Sequence, residues 1–322
     1  MKPVLLVQGI KAIEEVPGLD ALRDEAEIRM ASSVDELRAG LPGSEVLLGW
    51  DFRADNLRQA WDSVDELRWM HWAGAGVDAA MFDELVNSDV TLTNARGVFD
   101  QPIAEWVLGR IIGFAKRFHE SFADQARAEW CHRMSEQVTG KHALVVGVGS
   151  IGRAIGRLLA AAGMEVEAIG RSARDDDTDF GRVHGIDALN ELLPQADYVV
   201  LITPLTAQTR GLFAAPQFAA MKSTARFINV GRGALVEEPD LLAALNDGAI
   251  AGAALDVFAE EPLPASSPFW TAPNCVVSPH MSGDYLEFES AMAQQFLANW
   301  KRYRMGETLN NRIDKALGFA AR

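Results

Sequence analysis

One stretch in the middle of the chain, residues 143–174, limits the possible folds more than any other. It reads ALVVGVGSIGRAIGRLLAAAGMEVEAIGRSAR, in which an apolar strand, a glycine turn, a small-residue helix and a second strand follow one another. Gly147 permits a tight turn, Gly149 lets the backbone approach a pyrophosphate, and Gly152 lets the helix pack closely on the strand. The N-terminus of that helix would offer free N–H groups to the anion. The segment therefore predicts a dinucleotide-binding βαβ unit.

The end of the second strand bears on which dinucleotide is bound. NAD sites place an acidic residue there for the ribose 2′-hydroxyl, whereas NADP sites place an arginine nearby. Here the strand ends at Gly170, and Arg171, Ser172 and Arg174 follow. Because guanidinium groups bind phosphate monoesters through paired hydrogen bonds, the sequence favours NADP(H) over NAD(H). The acidic run at residues 175–177 leaves an alternative open, in which these carboxylates pair with the arginines in a solvated loop.

Composition places the chain among ordinary globular proteins and excludes several functions. Its 322 residues are 48% hydrophobic and 23% charged, and they suffice for two domains. The formal net charge of −15 argues against binding to nucleic acid or to an anionic membrane. Cys131 and Cys275 form no CxxC and no Cys/His cluster, so neither a disulfide framework nor a metal site is predicted. Without a signal-peptide pattern or a membrane-spanning apolar run, we expect a cytoplasmic protein.

Apolar runs alternate with helical patterns on both sides of the glycine turn, which is typical of α/β folds with parallel sheets. Strands are predicted at 4–7, 27–30, 46–48, 69–72, 90–92, 198–202, 225–230, 252–257 and 275–277. Helices are predicted at 103–127, 187–193, 216–221, 239–245 and 285–305. We predict a two-domain α/β protein. Residues 101–284 form a Rossmann-type, doubly wound dinucleotide domain, and residues 1–100 with 285–322 form a flavodoxin-like substrate domain.

Three polar residues follow apolar strands of the dinucleotide domain, at the edge where open α/β sheets bind ligands. They are Arg232, Glu261 and His280. An arginine can hold a substrate carboxylate and polarise a carbonyl group, a histidine can exchange a proton, and a neighbouring glutamate can stabilise the imidazolium. On spacing alone each has another interpretation, as a surface cap, a loop charge or a structural histidine.

The segments around these residues resolve that ambiguity. FINVGRGALVEEPDLLAAL, ALDVFAEEPLP and VVSPHMSG resemble three signature stretches of the D-isomer-specific 2-hydroxyacid dehydrogenase family, in the same order, with the key positions 29 and 19 residues apart. HWAGAGVD at 71–78, IAE at 103–105 and LITPLT at 201–206 also resemble family segments. The resemblance extends over nearly the whole chain.

The resemblance implies specific roles at the substrate site. Arg232 would anchor and polarise a 2-oxo acid, His280 would donate the proton in reduction, and Glu261 would hold His280 protonated. Backbone N–H groups of the turn after the fourth strand would bind the substrate carboxylate. The turn residues are Ala73, Gly74, Ala75 and Gly76, and the candidate apolar wall consists of Trp50, Trp72, Phe99 and Met281, all four of which could instead be core residues.

The expected cofactor site combines the glycine turn, the arginine loop and positions carried over by resemblance. Its members are Gly147, Gly149, Ser150, Ile151, Gly152, Arg171, Ser172, Arg174, Thr203, Pro204, Thr206, Val230, Gly231, Asp256 and His280.

The activity implied is reduction of a 2-oxo acid, such as glyoxylate, hydroxypyruvate or a larger acid, to the D-2-hydroxy acid, with NADPH preferred and NADH possible. The arginine loop resembles that of the NADP-using glyoxylate/hydroxypyruvate reductases. A homodimer is implied, with residues 103–137 as the contact. Trp130 would either reach a partner's site or pack a helix. Two alternatives stay open: an NAD-linked dehydrogenase working oxidatively, and a nucleotide-sensing scaffold similar to corepressors of this type.

Overall fold

The computed structural model describes residues 2–54 and 56–320. Its contacts divide the chain into two units. The first comprises Met1–Phe99 and Tyr285–Arg322, and the second comprises Asp100–Asp284. Within the described ranges, no helix combines the length and the apolar character needed to cross a membrane.

Strands and helices alternate along the described chain and are numbered in chain order. The strands are β1 (Val4–Gln8), β2 (Glu27–Ala31), β3 (Val46–Gly49), β4 (Trp69–Trp72), β5 (Thr91–Asn94), β6 (His142–Val146), β7 (Glu165–Ile169), β8 (Arg174–Asp177), β9 (Gly181–His184), β10 (Tyr198–Leu201), β11 (Arg226–Asn229), β12 (Gly252–Leu255), β13 (Cys275–Val277), β14 (Ile313–Asp314) and β15 (Phe319–Ala320). The helices are α1 (Val34–Gly40), α2 (Leu57–Ala60), α3 (Asp83–Val86), α4 (Asp100–Ala115), α5 (Phe118–Ala126), α6 (Ser150–Ala161), α7 (Leu189–Leu192), α8 (Ala215–Ala220), α9 (Glu238–Asn246) and α10 (Phe288–Arg304).

The first unit is built on a five-stranded parallel sheet in the order β2-β1-β3-β4-β5. This is the strand order of flavodoxin-like folds. Every residue of β3 and β4 is buried, as expected for inner strands of a parallel sheet with both faces covered. From α10, the Phe296 ring stacks on Trp69 with centroids 5.3 Å apart, and Trp300 is fully buried. The last long helix therefore completes a core whose strands come from the start of the chain.

The second unit contains an eight-stranded sheet in the order β13-β12-β11-β10-β6-β7-β9-β8. All neighbouring strands are parallel except β8, which runs antiparallel to β9. From β6 the chain proceeds through β7 to the hairpin of β8 and β9 on one side, and after β9 it crosses back to β10 on the other side of β6, as in a Rossmann fold. Helix α4 packs along α6, the helix of the glycine motif. Ligands of such sheets bind at the carboxyl ends of the strands beside this switch point.

The predicted fold class is confirmed. The strands predicted at 69–72 and 275–277 coincide with β4 and β13, and the other predicted strands differ from the observed ones only at their ends. The final helix begins three residues later than predicted, at Phe288 rather than at residue 285.

Two details of the prediction are wrong. The single helix predicted over 103–127 is divided, because Arg117 adopts a left-handed conformation with φ of 54° that an α-helix cannot contain. Its guanidinium then bonds Glu120 in the first turn of α5, with Nε 2.6 Å from Oε1. The sequence predicts a loop after Gly170, whereas the chain forms the hairpin β8–β9 from Arg174 onward, at the edge of the sheet.

Candidate active site

The glycine turn between β6 and α6 has the shape that a dinucleotide requires. Gly147 has φ of 123°, and a Cβ atom there would come within 2.5 Å of the Ile202 carbonyl oxygen. A Cβ atom on Gly152 would overlap the carbonyl oxygen of Gly147. By contrast, a Cβ atom on Gly149 would meet no atom within 4 Å. The turn is therefore closely packed on one side and open at Gly149, where a pyrophosphate can approach the backbone.

The N-terminus of α6 lies at the open side of this turn. The helix begins at Ser150, and its N-cap residue, Gly149, has no side chain to cap the first amide groups. Uncapped amides at the positive end of a helix dipole bind anions. In the loop after β10, Thr203 Oγ1 is buried and has no hydrogen-bond partner among the described residues. Because buried hydroxyl groups are normally paired, this atom also fits a ligand that supplies its partner. The residues present thus fit a dinucleotide.

The loops after β10 and β11 adjoin each other beside the glycine turn. A Cβ atom on Gly231 would lie 3.2 Å from the Thr203 carbonyl oxygen. Thr209 stiffens the first loop, since its hydroxyl donates to the Pro204 carbonyl oxygen at 2.6 Å and accepts from the Thr206 amide at 2.8 Å. The structure therefore brings the expected residues of these two loops to the edge of the sheet that carries the glycine turn.

In the arginine loop, residues 171–174, one of the two arginines is already bound to a carboxylate. Arg171 and Ser172 are exposed. Arg174 is half-buried and forms an ion pair with Asp177, with Nη2 2.7 Å from Oδ2. The alternative that the acidic run left open is therefore realised for Arg174, through one carboxylate of the run. Asp175 remains exposed.

His280 and Glu261 are in direct contact. Their loops follow β13 and β12, and His280 Nδ1 lies 2.6 Å from Glu261 Oε2. The other carboxylate oxygen, Oε1, accepts from the Phe258 amide at 2.8 Å. Burial raises the pKa of Glu261, but the hydrogen bonds from His280 and Phe258 and the charges of His280 and Arg232 lower it by more, so that its pKa falls below its ordinary value. An ionised carboxylate at this distance stabilises a protonated imidazole.

Arg232 is held on the loop after β11. Asn229, the last residue of that strand, accepts from the Gly231 amide and donates to the Arg232 carbonyl oxygen, both at 3.0 Å. The next residue, Gly233, packs so closely on the backbone of Phe258 that a Cβ atom would overlap it. The loop that carries Arg232 is thus pressed against the loop that carries Glu261. This explains why the charge of Arg232 acts on that carboxyl group.

Asp256 organises the loop that carries His280. Its side chain is buried, and its carboxylate accepts hydrogen bonds from the Ser278 hydroxyl, the Met281 amide at 3.0 Å and the Ser282 amide at 2.9 Å. Its carbonyl oxygen accepts from the His280 amide at 2.8 Å. His280 itself has φ of 51°, an unfavourable conformation for a residue with a side chain. The bonds from Asp256 hold this conformation in place.

In the first unit, the turn after β4 presents several backbone amides. Ala73 continues the sheet hydrogen bonding, but among the described residues the amide groups of Gly74, Ala75 and Gly76 donate to no backbone carbonyl group. Asn94, at the end of β5, fixes the turn by donating from Nδ2 to the Ala75 carbonyl oxygen at 2.6 Å. Unpaired amides in a fixed turn can bind a carboxylate without any side chain.

The four candidate wall residues divide into two pairs. Trp72 and Phe99 are buried in the first unit, so they are core residues and not wall residues. Trp50 is half-buried at the end of β3, and Met281 is 49% exposed directly after His280. Trp130 is 99% exposed, so the helix-packing alternative is wrong for this residue within its own chain.

Sequence reasoning missed two residues that hold the site. Asn94 and Ser278 each bind the loop of a predicted site residue. A polar residue at the last position of a buried strand was the available signal for Asn94. Ser278 gave no comparable signal, because its partner is determined by tertiary packing.

A dinucleotide cradle and an imidazole–carboxylate pair at the same edge of one Rossmann sheet define a class of protein, the pyridine nucleotide-dependent oxidoreductases. The family within that class follows from comparison. The model of the D-isomer specific 2-hydroxyacid dehydrogenase NAD binding domain matches residues 108–282. The chain belongs to this family, and its cofactor is an NAD(P)(H) dinucleotide.

Three known proteins illustrate the similarity. D-3-phosphoglycerate dehydrogenase of Methanocaldococcus jannaschii is 29% identical over 311 residues, 95% of this chain, which spans 57% of that longer protein. Glyoxylate/hydroxypyruvate reductase B of Salmonella schwarzengrund is 35% identical over 226 residues, 68% of this chain and 69% of the relative. The crystal structure of the NADPH-dependent glyoxylate/hydroxypyruvate reductase of Sinorhizobium meliloti, in complex with NADP and sulfate, has a TM-score of 0.84 at 26% identity and covers 99% of this chain and 100% of its own.

Proposed function

We propose that this protein reduces a 2-oxo acid to the corresponding D-2-hydroxy acid and prefers NADPH as the reductant. The observation that carries the proposal is the contact between His280 Nδ1 and Glu261 Oε2 at 2.6 Å, at the edge of the sheet that also carries the glycine turn. A proton donor fixed beside a dinucleotide site is what carbonyl reduction needs.

The protein residues have separate tasks in this reaction. A bound nicotinamide would supply the hydride that reduction of the carbonyl carbon needs. Because Glu261 occupies Nδ1 of His280, the ring presents Nε2 to the substrate, and from there a proton passes to the carbonyl oxygen. Arg232 binds the acid and polarises the carbonyl group through its guanidinium. After the transfer, the neutral imidazole takes up a proton again, which the ionised Glu261 favours.

The substrate carboxylate is assigned to the turn after β4. Two observations support this assignment. The amides of Gly74, Ala75 and Gly76 donate to no backbone carbonyl group among the described residues, and Asn94 fixes the turn through its bond to Ala75. Trp50 and Met281 are assigned to the wall beside the substrate side chain. Both are large and apolar, which favours 2-oxo acids with a carbon side chain over acids with a second charge.

The preference for NADPH rests on the end of β7. Gly170 stands there in place of an acidic residue, and Arg171, Ser172 and Arg174 follow it. The similar reductase of Sinorhizobium meliloti is NADPH-dependent, which supports the same preference.

We also propose a homodimer in the cytoplasm. Helix α5 and the segment after it expose a group of large apolar side chains, among them Trp130 at 99%, Met134 at 81% and Phe122 at 67%. Exposed apolar groups of this size are normally covered by a partner. A second copy would cover them through residues 103–137, and Trp130 would then reach its site. Sedimentation of the wild type and of Trp130→Ala tests the proposed homodimer. A wild type that sediments as a monomer contradicts it.

The decisive experiment is a parallel assay of NADPH and NADH oxidation with glyoxylate, hydroxypyruvate, pyruvate, phenylpyruvate and branched 2-oxo acids. Turnover with NADPH well above that with NADH supports the reaction and the preference. Turnover with NADH alone favours the NAD-linked alternative. Binding of either cofactor without turnover on any acid overturns the enzymatic proposal and favours the scaffold alternative.

A further inference from the structure

The hairpin β8–β9 extends the sheet of the second unit beside the expected ribose site. After β7 the chain continues into β8, turns, and returns as β9, which pairs in parallel with the end of β7 through Ala168 with Val183 and Ile169 with His184. Consequently the residues that follow Gly170 are attached to the sheet. The hairpin is built around one acidic side chain, that of Asp177.

Asp177 is bound by two arginines at once. Arg153, on the cofactor helix α6, places Nη1 at 2.9 Å from Oδ1 and Nη2 at 2.7 Å from Oδ2. Arg174 places Nε at 2.9 Å and Nη2 at 2.7 Å from the same Oδ2. The side chain of Asp177 is only 3% exposed. The hydrogen bonds from the two guanidinium groups hold the pKa of Asp177 far below its usual range, so it is ionised at any working pH.

This binding determines where Arg174 presents its remaining N–H groups. One edge of its guanidinium, Nε and Nη2, is occupied by Asp177. The other nitrogen, Nη1, lies 3.5 Å from the position of a Cβ atom on Gly170. The guanidinium therefore lies beside the first residue after β7, where dinucleotide folds of this type recognise the ribose 2′ substituent.

Gly170 leaves little room for the acidic side chain that NAD sites place at this position. A Cβ atom there would be 2.8 Å from Val148 Cγ2 and 3.0 Å from Val183 Cγ1, so a carboxylate side chain would require these two side chains to shift. The local charge also favours an anionic ligand. Three guanidinium groups, those of Arg153, Arg157 and Arg174, bind the two carboxylates of Asp177 and Asp179, so this cluster of five side chains has a net charge of +1.

We propose that Asp177 is a positioning residue for cofactor specificity: by clamping Arg174 beside Gly170 it prepares that guanidinium to bind the 2′-phosphate of NADP(H). The inference rests on the proposed preference for NADPH. A guanidinium already held in place loses less conformational freedom when it binds phosphate than one on a free side chain. The opposite expectation is that Asp177 competes with the phosphate for Arg174.

The test is calorimetric binding of NADP⁺ and NAD⁺ to the whole chain and its variants. In Asp177→Asn, which keeps the shape and removes the charge, we expect the Kd for NADP⁺ to rise about tenfold and that for NAD⁺ to stay within about twofold. The exposed Asp175, whose nearest ion-pair distance is 3.6 Å to Arg182, provides the matched control Asp175→Asn, with both constants unchanged. In an Arg174→Ala background, Asp177→Asn should have no further effect on NADP⁺.

The outcomes distinguish failure of the positioning role of Asp177 from failure of the proposed preference for NADPH. Equal wild-type affinities for the two dinucleotides contradict the NADPH preference. A wild-type preference that Asp177→Asn leaves unchanged or strengthens overturns the positioning role, and an equal loss for both dinucleotides shows a structural role only. If Asp177→Asn lowers the thermal midpoint too far to be measured, Arg174→Lys replaces it. That variant keeps the positive charge but loses the paired bond to Asp177, and NADP⁺ binding as tight as in the wild type overturns the inference.

Discussion

Glu261 binds His280 with one carboxylate oxygen and the backbone with the other: Oε2 lies 2.6 Å from His280 Nδ1, and Oε1 accepts from the Phe258 amide at 2.8 Å. A carboxylate fixed at both oxygens cannot rotate away from the imidazole. It therefore sets both the orientation of the ring and the stability of its protonated form. The charge and the geometry of this pair can be separated by substitution.

Glu261→Gln tests the charge. The pKa of Glu261 is lowered, so its carboxylate is ionised throughout the neutral range and stabilises the imidazolium there. The glutamine keeps the shape without the charge, so reduction should slow by about ten- to a hundredfold at neutral pH. Steady-state turnover with NADPH at neutral pH measures this loss.

Two further variants serve as controls for the Glu261→Gln experiment. Glu260→Gln, at the neighbouring exposed position, should leave turnover unchanged. His280→Ala should cost about 10²- to 10⁴-fold in turnover while the Kd of the cofactor stays near the wild-type value. Turnover of Glu261→Gln equal to that of the wild type at neutral pH would remove Glu261 from this role.

Asp256→Asn tests the loop that carries His280. Oδ1 of Asp256 accepts from Ser278 and Met281, and Oδ2 accepts from Ser282. Either orientation of the asparagine amide therefore sets its NH₂ group against a backbone N–H. We expect a loss of about 1–3 kcal/mol in the free energy of unfolding, measured in urea, and a fall in kcat.

Ser278→Ala is the milder companion, since it removes one donor and leaves both backbone amides paired. Its losses in stability and in kcat should both be smaller than those of Asp256→Asn. Equal stability of Asp256→Asn and the wild type would show that the carboxylate does not hold the loop.

The sequence predicted the parts of this site that depend on local order. The glycine turn, the strands before Arg232 and His280, and the alternation that sets a parallel sheet are all local patterns with a fixed period or spacing. The break between α4 and α5 was not predictable in this way, because the apolar pattern continues through Arg117 while its backbone is left-handed.

The sequence also could not predict which residues pair with the buried charges. The run of three aspartates looks like a solvated loop, and nothing in its spacing marks Asp177 as the residue bound by Arg153 from α6. Likewise Trp72 carries no sign that its ring is buried while Trp50, at the end of the neighbouring strand, is half-exposed. Such choices depend on distances between elements that are far apart in the chain.

The glycine turn offers a pair of variants with opposite expectations. Gly149 has φ of −70° and open space at its Cβ position, so Gly149→Ala should fold with a thermal midpoint near that of the wild type. Its methyl group would occupy the approach of the pyrophosphate, and we expect the Kd for NADP⁺ to rise at least about tenfold.

Gly152→Ala should instead lower the thermal midpoint. Its Cβ atom would overlap the Gly147 carbonyl oxygen, and overpacking of this kind costs about 1–3 kcal/mol. Differential scanning calorimetry without cofactor distinguishes the two. A Gly149→Ala variant that binds NADP⁺ as the wild type does would contradict the assignment of the open side of the turn to the pyrophosphate.

His71, in β4, should make the stability of the protein fall in mild acid. It is fully buried; its Nδ1 lies 2.9 Å from Thr93 Oγ1, and its Nε2 has no partner among the described residues. Burial lowers the pKa of His71 from 6.5 to about 3. Between these values the unfolded chain binds a proton that the folded chain does not. This one group therefore removes about 1.4 kcal/mol of stability for each pH unit below about 6 and contributes no slope above pH 7.

His71→Gln should flatten the dependence of the unfolding free energy on pH by that amount, whereas His132→Gln, at an exposed position, should not. If His71→Gln keeps the wild-type slope between pH 6 and pH 4 in urea titrations, another buried group causes the loss.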